Sequence, residues 1–182
     1  RDSSTGSLVV ASDSSGNNNN GSLYNGLFSV AGRFGNALSF DGVDDYVKSP
    51  TATNVPSVPP LTVEAWINPI DFSNPNWTDI VRKGEPAGAG GSWALQVTAA
   101  GVLSFEITNI ANATSAVTVP TGGSALTHVA LTYDGASVKF YKNGILSETI
   151  AEANAPTTGV SSIFIGGYPS WGTNFKGAID EV

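Results

Sequence analysis

The chain has 182 residues, of which 41% are hydrophobic and only 13% charged, a length that suits one domain with a sizeable core. Its net charge is −7 with eight Lys and Arg, which argues against a nucleic-acid surface, because phosphate binding needs a basic patch, and makes cations the natural ionic partners. There is no Cys and no Met, so disulfides and thiol chemistry are ruled out, and no apolar run is long enough to span a membrane.

The first marked stretch is SDSSGNNNNGS, residues 12 to 22. Asp13, Ser15, Asn17, Asn18 and Asn20 could offer the hard oxygen donors that Ca²⁺ takes. The same residues beside Gly16 and Gly21 could equally serve as Asx turns, whose side chains bond to nearby backbone amides. Spacing excludes an EF-hand, since the D-x-[DN]-x-[DN]-G order and the closing Glu are missing.

From residue 36 onward, short alternating runs recur at close spacing. They are ALSF 37–40, DYVK 45–48, LTVEAWI 61–67, DIVRK 79–83, SWALQV 92–97 and VLSFEI 102–107, then HVALTY 128–133, SVKFYK 137–142, LSETI 146–150, SIFIGG 162–167 and FKGAIDEV 175–182. In LTVEAWI, the residues Leu61, Val63, Ala65 and Ile67 share one face, which is the period of a strand. No window holds helical periodicity over three turns, and Gly or Pro interrupts nearly every candidate.

FDGVDDYV brings Asp41, Asp44 and Asp45 around Gly42. It reads as a tight turn whose acids are solvated or cap amides, since a two-strand turn alone rarely encloses an ion. Asp134-Gly135 and Asn143-Gly144 tolerate positive φ and favour tight hairpins, so residues 128–150 are expected to form a three-strand meander. The Pro- and Asn-containing stretches 49–60 and 71–78 are expected to be loops at a rim, and the sequons at Asn20, Asn76 and Asn112 fall in expected loops. About a dozen strands in a chain without Cys fit two antiparallel sheets stacked face to face.

Read in order, DSSGNNNNGSL, GRFGNALSFDGVDDYV, LTVEAWINP, HVALTYDG, VKFYKNGIL and FIGG…FKGAIDEV resemble a laminin G-like domain of the concanavalin A-like lectin/glucanase superfamily. The resemblance covers nearly the whole chain. It implies an all-β jelly-roll sandwich of two antiparallel sheets and a non-catalytic module of a secreted or surface protein. Members often bind sugars and often hold one structural Ca²⁺. For the ion it points to Asp13 and Asp180, with Asn18 contributing through a carbonyl.

Compared with the family pattern, the chain starts late, with Arg1 and Asp2 near the end of the first strand, and stops early at Val182. The expectation is a single domain over 1–182, trimmed at both ends and excised from a larger protein. Its ends should be neighbours in one sheet, with an edge that a neighbouring domain or subunit completes.

A sugar site needs an aromatic platform for the apolar face of the ring and amides or carboxylates for the hydroxyls. Trp66, in period with a strand, is expected in the core, and Trp93 is ambiguous. Trp171 with Tyr168, and then Trp77, lie in loop-like sequence and are the ligand-binding candidates. A glycosidase would need two carboxylates set across the bond. Glu64, Glu106, Glu148 and Glu152 show no such spacing, and the single His128 has no nucleophile pattern near it.

The resulting expectation is an extracellular or cell-surface recognition or adhesion module with a glycan or surface-protein ligand. The competing expectation is a structural domain of a pilin-like filament, completed by a neighbouring subunit. A glycoside hydrolase rests only on analogy within the superfamily.

Overall fold

A computed structural model describes residues 10–52, 54–72, 74, 77–84, 92–107 and 110–182. The described residues form fifteen strands and no helix. These are β1 Val10–Ala11, β2 Gly21–Tyr24, β3 Phe28–Ala31, β4 Asn36–Asp41, β5 Tyr46–Ala52, β6 Leu61–Pro69, β7 Trp77–Lys83 and β8 Trp93–Thr98. The remainder are β9 Val102–Ile107, β10 Ala111–Thr118, β11 Thr127–Tyr133, β12 Ser137–Lys142, β13 Ile145–Ala151, β14 Ser161–Ile165 and β15 Lys176–Asp180.

They make an 8-stranded sheet in the order β1-β2-β5-β14-β7-β8-β9-β10 and a 7-stranded sheet in the order β13-β12-β11-β6-β15-β4-β3. Every pairing is antiparallel. The architecture is the expected jelly-roll sandwich.

The core lies between the sheets, where period-two strands bury one face each. Leu61, Val63, Ala65 and Ile67 of β6 point inward as their spacing predicts, against Val97, Leu103 and Phe105 of the other sheet. Phe105 and Tyr133 meet across the sandwich with ring centroids 5.5 Å apart. Trp93 resolves into the core, its Nε1 donating to the Pro56 carbonyl at 3.0 Å.

Trp66 departs from expectation. It alternates with Ala65 and Ile67, so it stands on the outer face of the 7-stranded sheet, half-buried under Arg33 at 4.8 Å and beside His128 at 5.3 Å.

The meander β11-β12-β13 forms as the two dipeptides predict, with Gly135 at φ +94°, Asn143 at +51° and Gly144 at +77°. Asp134 caps the first turn by accepting from the amides of Ala136 and Ser137. At one rim the two sheets are stitched together. The Ala116 amide of β10 donates to Glu148 of β13 at 2.6 Å, and Lys142 Nζ donates to the Thr118 carbonyl at 3.1 Å.

Several expectations shift. Strands β2 and β3 precede residue 36, where the expected alternating runs begin, β10 lies where no run was expected, and Asn112, a sequon expected in a loop, stands exposed within β10. The stretch expected as a loop from residue 49 is strand as far as Ala52, and Trp77 opens β7. Strand β1 edges the 8-stranded sheet while β15 lies inside the 7-stranded one. The expected pairing of the chain ends involves Arg1 and Asp2, which lie outside the described residues, as does the sequon at Asn76.

Candidate functional site

Strand β7 carries a β-bulge. Asp79 pairs with Gln96 and Arg82 with Ala94, but Val81 already pairs with Leu95, so Ile80 is the extra residue. In a regular strand, residues three apart face opposite sides; the inserted residue returns Asp79 and Arg82 to the same outer face. Gln96 and Glu106 stand on that face too, because antiparallel partners share a side and Glu106 pairs with Ala94.

The four side chains form one network. Arg82 donates from Nε to Asp79 Oδ2 at 2.8 Å and from Nη2 to Asp79 Oδ1 at 3.2 Å and Glu106 Oε2 at 2.5 Å. Gln96 Nε2 bridges Asp79 Oδ1 at 2.7 Å and Glu106 Oε2 at 2.9 Å, and Thr173 Oγ1 donates to Asp79 Oδ2 at 2.6 Å. Asp79 and Arg82 are fully buried and Glu106 nearly so. Burial alone would pull the guanidinium pKa down, but the charges of Asp79 and Glu106 outweigh it and hold Arg82 above its ordinary value. Such a cluster is stable only because every charge has a partner.

Two oxygens bound to one amide nitrogen are necessarily close, so Asp79 and Glu106 meet as the paired carboxylates of a glycosidase would. Here the chemistry differs. Asp79 has no exposed surface, both of its oxygens are taken, and Glu106 gives Oε2 to Arg82 and Gln96.

An aromatic row runs across the same face. Tyr24 and Tyr46, opposite each other on β2 and β5, stack with centroids 4.5 Å apart and planes 6° from parallel. Tyr46 continues to Phe164 at 6.3 Å, Phe164 to Tyr168 at 4.9 Å, and Tyr168 to Trp171 at 5.9 Å. Trp171 closes the row over the Arg82 guanidinium, 4.9 Å away. Lys48 lies over Phe164 at 5.2 Å. Tyr24 is 39% exposed and Trp171 43% exposed, so both ends of the row offer ring surface to solvent.

The ligand candidates named from sequence therefore converge. Tyr168 is buried as the support of Trp171, and Trp77, half-buried at the start of β7, faces the same side as Gln96 through its partner Thr98. Asn74 Nδ2 donates to the Gly172 carbonyl, tying the segment before β7 to the loop that carries Trp171. Asp79, Arg82, Gln96 and Glu106 were missed, since the bulge that unites them leaves no mark in a two-residue period. Tyr24, Tyr46 and Phe164 meet only through sheet order.

The residues expected at an ion are placed as follows. Asp13 accepts the amides of Ser15 at 2.9 Å and Asn19 at 2.8 Å. These bonds, led by Ser15, lower its pKa. Asn18 takes φ +61° as a turn residue. Asp180 accepts the amides of Arg33 at 2.6 Å and Phe34 at 3.4 Å through Oδ2 and of Glu181 at 3.0 Å through Oδ1. Gly32 makes room for it, since a Cβ there would lie 2.4 Å from Asp180 Oδ2. Asp13 thus accepts amides of its own loop, whereas Asp180 accepts amides of the turn between β3 and β4 as well as that of its neighbour Glu181, and the two share no hydrogen-bond partner among the described residues.

A cavity of about 440 Å³ opens elsewhere, between the sheets, with Val47, Leu61, Val63, Val81 and Trp93 on its walls and Asp13 and Val182 among the residues around it. Core side chains line its inner part, and Ser12, Asn17, Asn19, Asn54 and Glu64 add polar groups beside Asp13.

A family model described as the concanavalin A-like lectin/glucanases superfamily, of laminin G type, matches residues 41–182. No curated protein sequence matches the chain significantly. Among solved structures, domain 4 of AbnA, a GH43 extracellular arabinanase from Geobacillus stearothermophilus in complex with arabinotriose, is similar at TM-score 0.69 and 21% identity, covering 92% of this chain and 82% of that one. The CBM40 of Ruminococcus gnavus IT-sialidase bound to α2,3-sialyllactose is similar at TM-score 0.50 and 23% identity, covering 65% and 71%. Domains LG4-5 of the mouse laminin α1 chain are similar at TM-score 0.57 and 17% identity, covering 86% of this chain and 42% of that one.

Proposed function

The chain belongs to the laminin G-like family of the concanavalin A-like lectin/glucanases superfamily, and on that footing we propose that it is a non-catalytic carbohydrate-recognition module that works outside the cell. The observation that carries this reading is the aromatic row on the outer face of the 8-stranded sheet, open at Tyr24 and Trp171 and ending on Arg82. A pyranose or furanose ring presents C–H groups that pack on such rings, while its hydroxyls need polar neighbours such as Glu106 and Lys48. The bound arabinotriose and sialyllactose of two structural neighbours, and the extracellular setting of the first, support the direction.

Hydrolysis is not part of the proposal. A general acid must reach the glycosidic oxygen and hold a proton near neutral pH. Asp79 is sealed beneath Thr173 and clamped by Arg82, and Glu106 gives Oε2 to the same clamp.

A glycan array followed by calorimetry, with arabinotriose and sialyllactose as first probes, tests the reading. Binding of at least one glycan class, weakened roughly tenfold or more by Trp171→Ala as expected of an aromatic anchor, supports it. An array without any bound glycan, or binding indifferent to Trp171→Ala and Tyr24→Ala alike, overturns it.

A further inference from the structure

We infer that the turn between β4 and β5 is a divalent-cation site, with Asp41, Asp44 and Asp45 as its carboxylate ligands and Ca²⁺ as the ion it takes. One oxygen or more from each of these three side chains lies within 4.8 Å of the others. Two oxygens on one Ca²⁺, each at roughly 2.3 to 2.6 Å, can be no further apart than about 5 Å, so the spacing admits a common ion.

A second observation points the same way. Asp45 is 3% exposed, its Oδ2 accepts the Asp41 amide at 2.9 Å, and its Oδ1 is buried with no hydrogen-bond partner. A buried carboxylate oxygen left unpaired is costly and calls for a counter-charge.

No Lys or Arg is ion-paired with the trio among the described residues. Lys176 packs beside Gly42, but its Nζ is spent on Asp71 at 2.7 Å. Three hard oxygen ligands without a basic partner suit Ca²⁺ in preference to softer metals.

The turn is also pinned in place. Asn25 Nδ2 donates to the Asp44 carbonyl at 2.8 Å, Asn174 Nδ2 donates to the Val43 carbonyl, and Asp41 Oδ1 accepts the Val43 amide at 2.7 Å. Asp41 and Asp44 remain exposed, leaving an open side that water would complete. The proposal is independent of the glycan reading, since none of the three acids belongs to the aromatic row.

Calorimetric titration of the EDTA-stripped chain with CaCl₂ tests it, together with Tb³⁺ luminescence sensitised through Tyr46, the residue next to Asp45. The expected result is one saturable site, a Tb³⁺ signal displaced by Ca²⁺, and an affinity reduced roughly tenfold or more in Asp44→Asn, whose melting in EDTA matches the parent chain. Asp45→Asn is the stronger variant but removes a buried group, so the exposed Asp44 carries the decision. Asp13→Asn should bind as the parent does. Absence of saturable binding up to about 10 mM Ca²⁺, beyond the weakest ordinary modules, overturns the site. So does an affinity unchanged in Asp44→Asn, or one lost in Asp13→Asn.

Discussion

Asp79 and Arg82 lie three residues apart on one strand and yet join on the same side of the sheet, Nε to Oδ2 at 2.8 Å. The bulge at Ile80 makes this possible, and the pair becomes the floor on which Trp171 rests. If the network holds the face together, Arg82→Met should cost about 3 to 5 kcal/mol, because it leaves two carboxylates buried without their cation. Urea denaturation reads this directly. A loss below about 1 kcal/mol would mean that water or another cation replaces the guanidinium.

Trp171→Ala should separate recognition from folding. The ring is 43% exposed, so its removal should cost no more than about 1 kcal/mol of stability while glycan affinity falls by roughly tenfold or more. Thermal melts beside calorimetric titrations provide the comparison. An equal fall in both would place Trp171 with the structural side chains.

Gly166→Ala should be among the most damaging small substitutions. Gly166 has φ +80°, and a Cβ there would lie 2.1 Å from Phe40 Cε1, whose ring packs edge-on against Phe175 at 6.3 Å. Overpacking costs about 1 to 3 kcal/mol, and the left-handed backbone adds about 1 more. Gly16→Ala is the control. Gly16 has similar backbone at φ +83° but nothing within 4 Å, so it should show the backbone cost alone.

Acid should weaken the fold through its turn caps. Amide and hydroxyl bonds lower the pKa of Asp13, chiefly from Ser15, and of Asp134, chiefly from Ala136. A carboxylate lowered in the folded state contributes stability that is present above its unfolded pKa and is lost as pH falls through the lower folded value. The loss should therefore fall below the ordinary 3.8 of an aspartate. Asp45, raised by burial, has the opposite sign: its penalty is full above its folded value and relieved on protonation. Urea titrations at stepped pH should show a shallower acid loss in Asp13→Asn with Asp134→Asn than in the parent chain. Identical slopes would remove the caps from the account.

Much of the fold was legible in the sequence, because strands such as LTVEAWI and HVALTY put branched apolar residues at period two and the DG and NG dipeptides mark their turns. Strand β10 was not, since ANATSAVT alternates Ala113, Ser115 and Val117 inward, and Ser115 is buried only by donating to the Leu103 carbonyl. Trp66 misled in the other direction, because a large apolar side chain reads as core even when its parity points outward. The aromatic part of the site was half visible in Trp77, Tyr168 and Trp171. The charged part was hidden, since a single inserted residue changes which side chains share a face without changing composition or spacing.

The order in which the strands are used has a consequence for biosynthesis. Strands β14 and β15, which follow all the others in the chain, insert into the interior of the two layers, β14 between β5 and β7 and β15 between β6 and β4. A nascent polypeptide whose residues beyond 160 are still inside the ribosome holds each layer as two unjoined halves with open hydrogen-bonding edges. Closure of the domain must wait for its final segment to emerge, which makes the arrested, truncated chain the species most exposed to chaperones and to self-association.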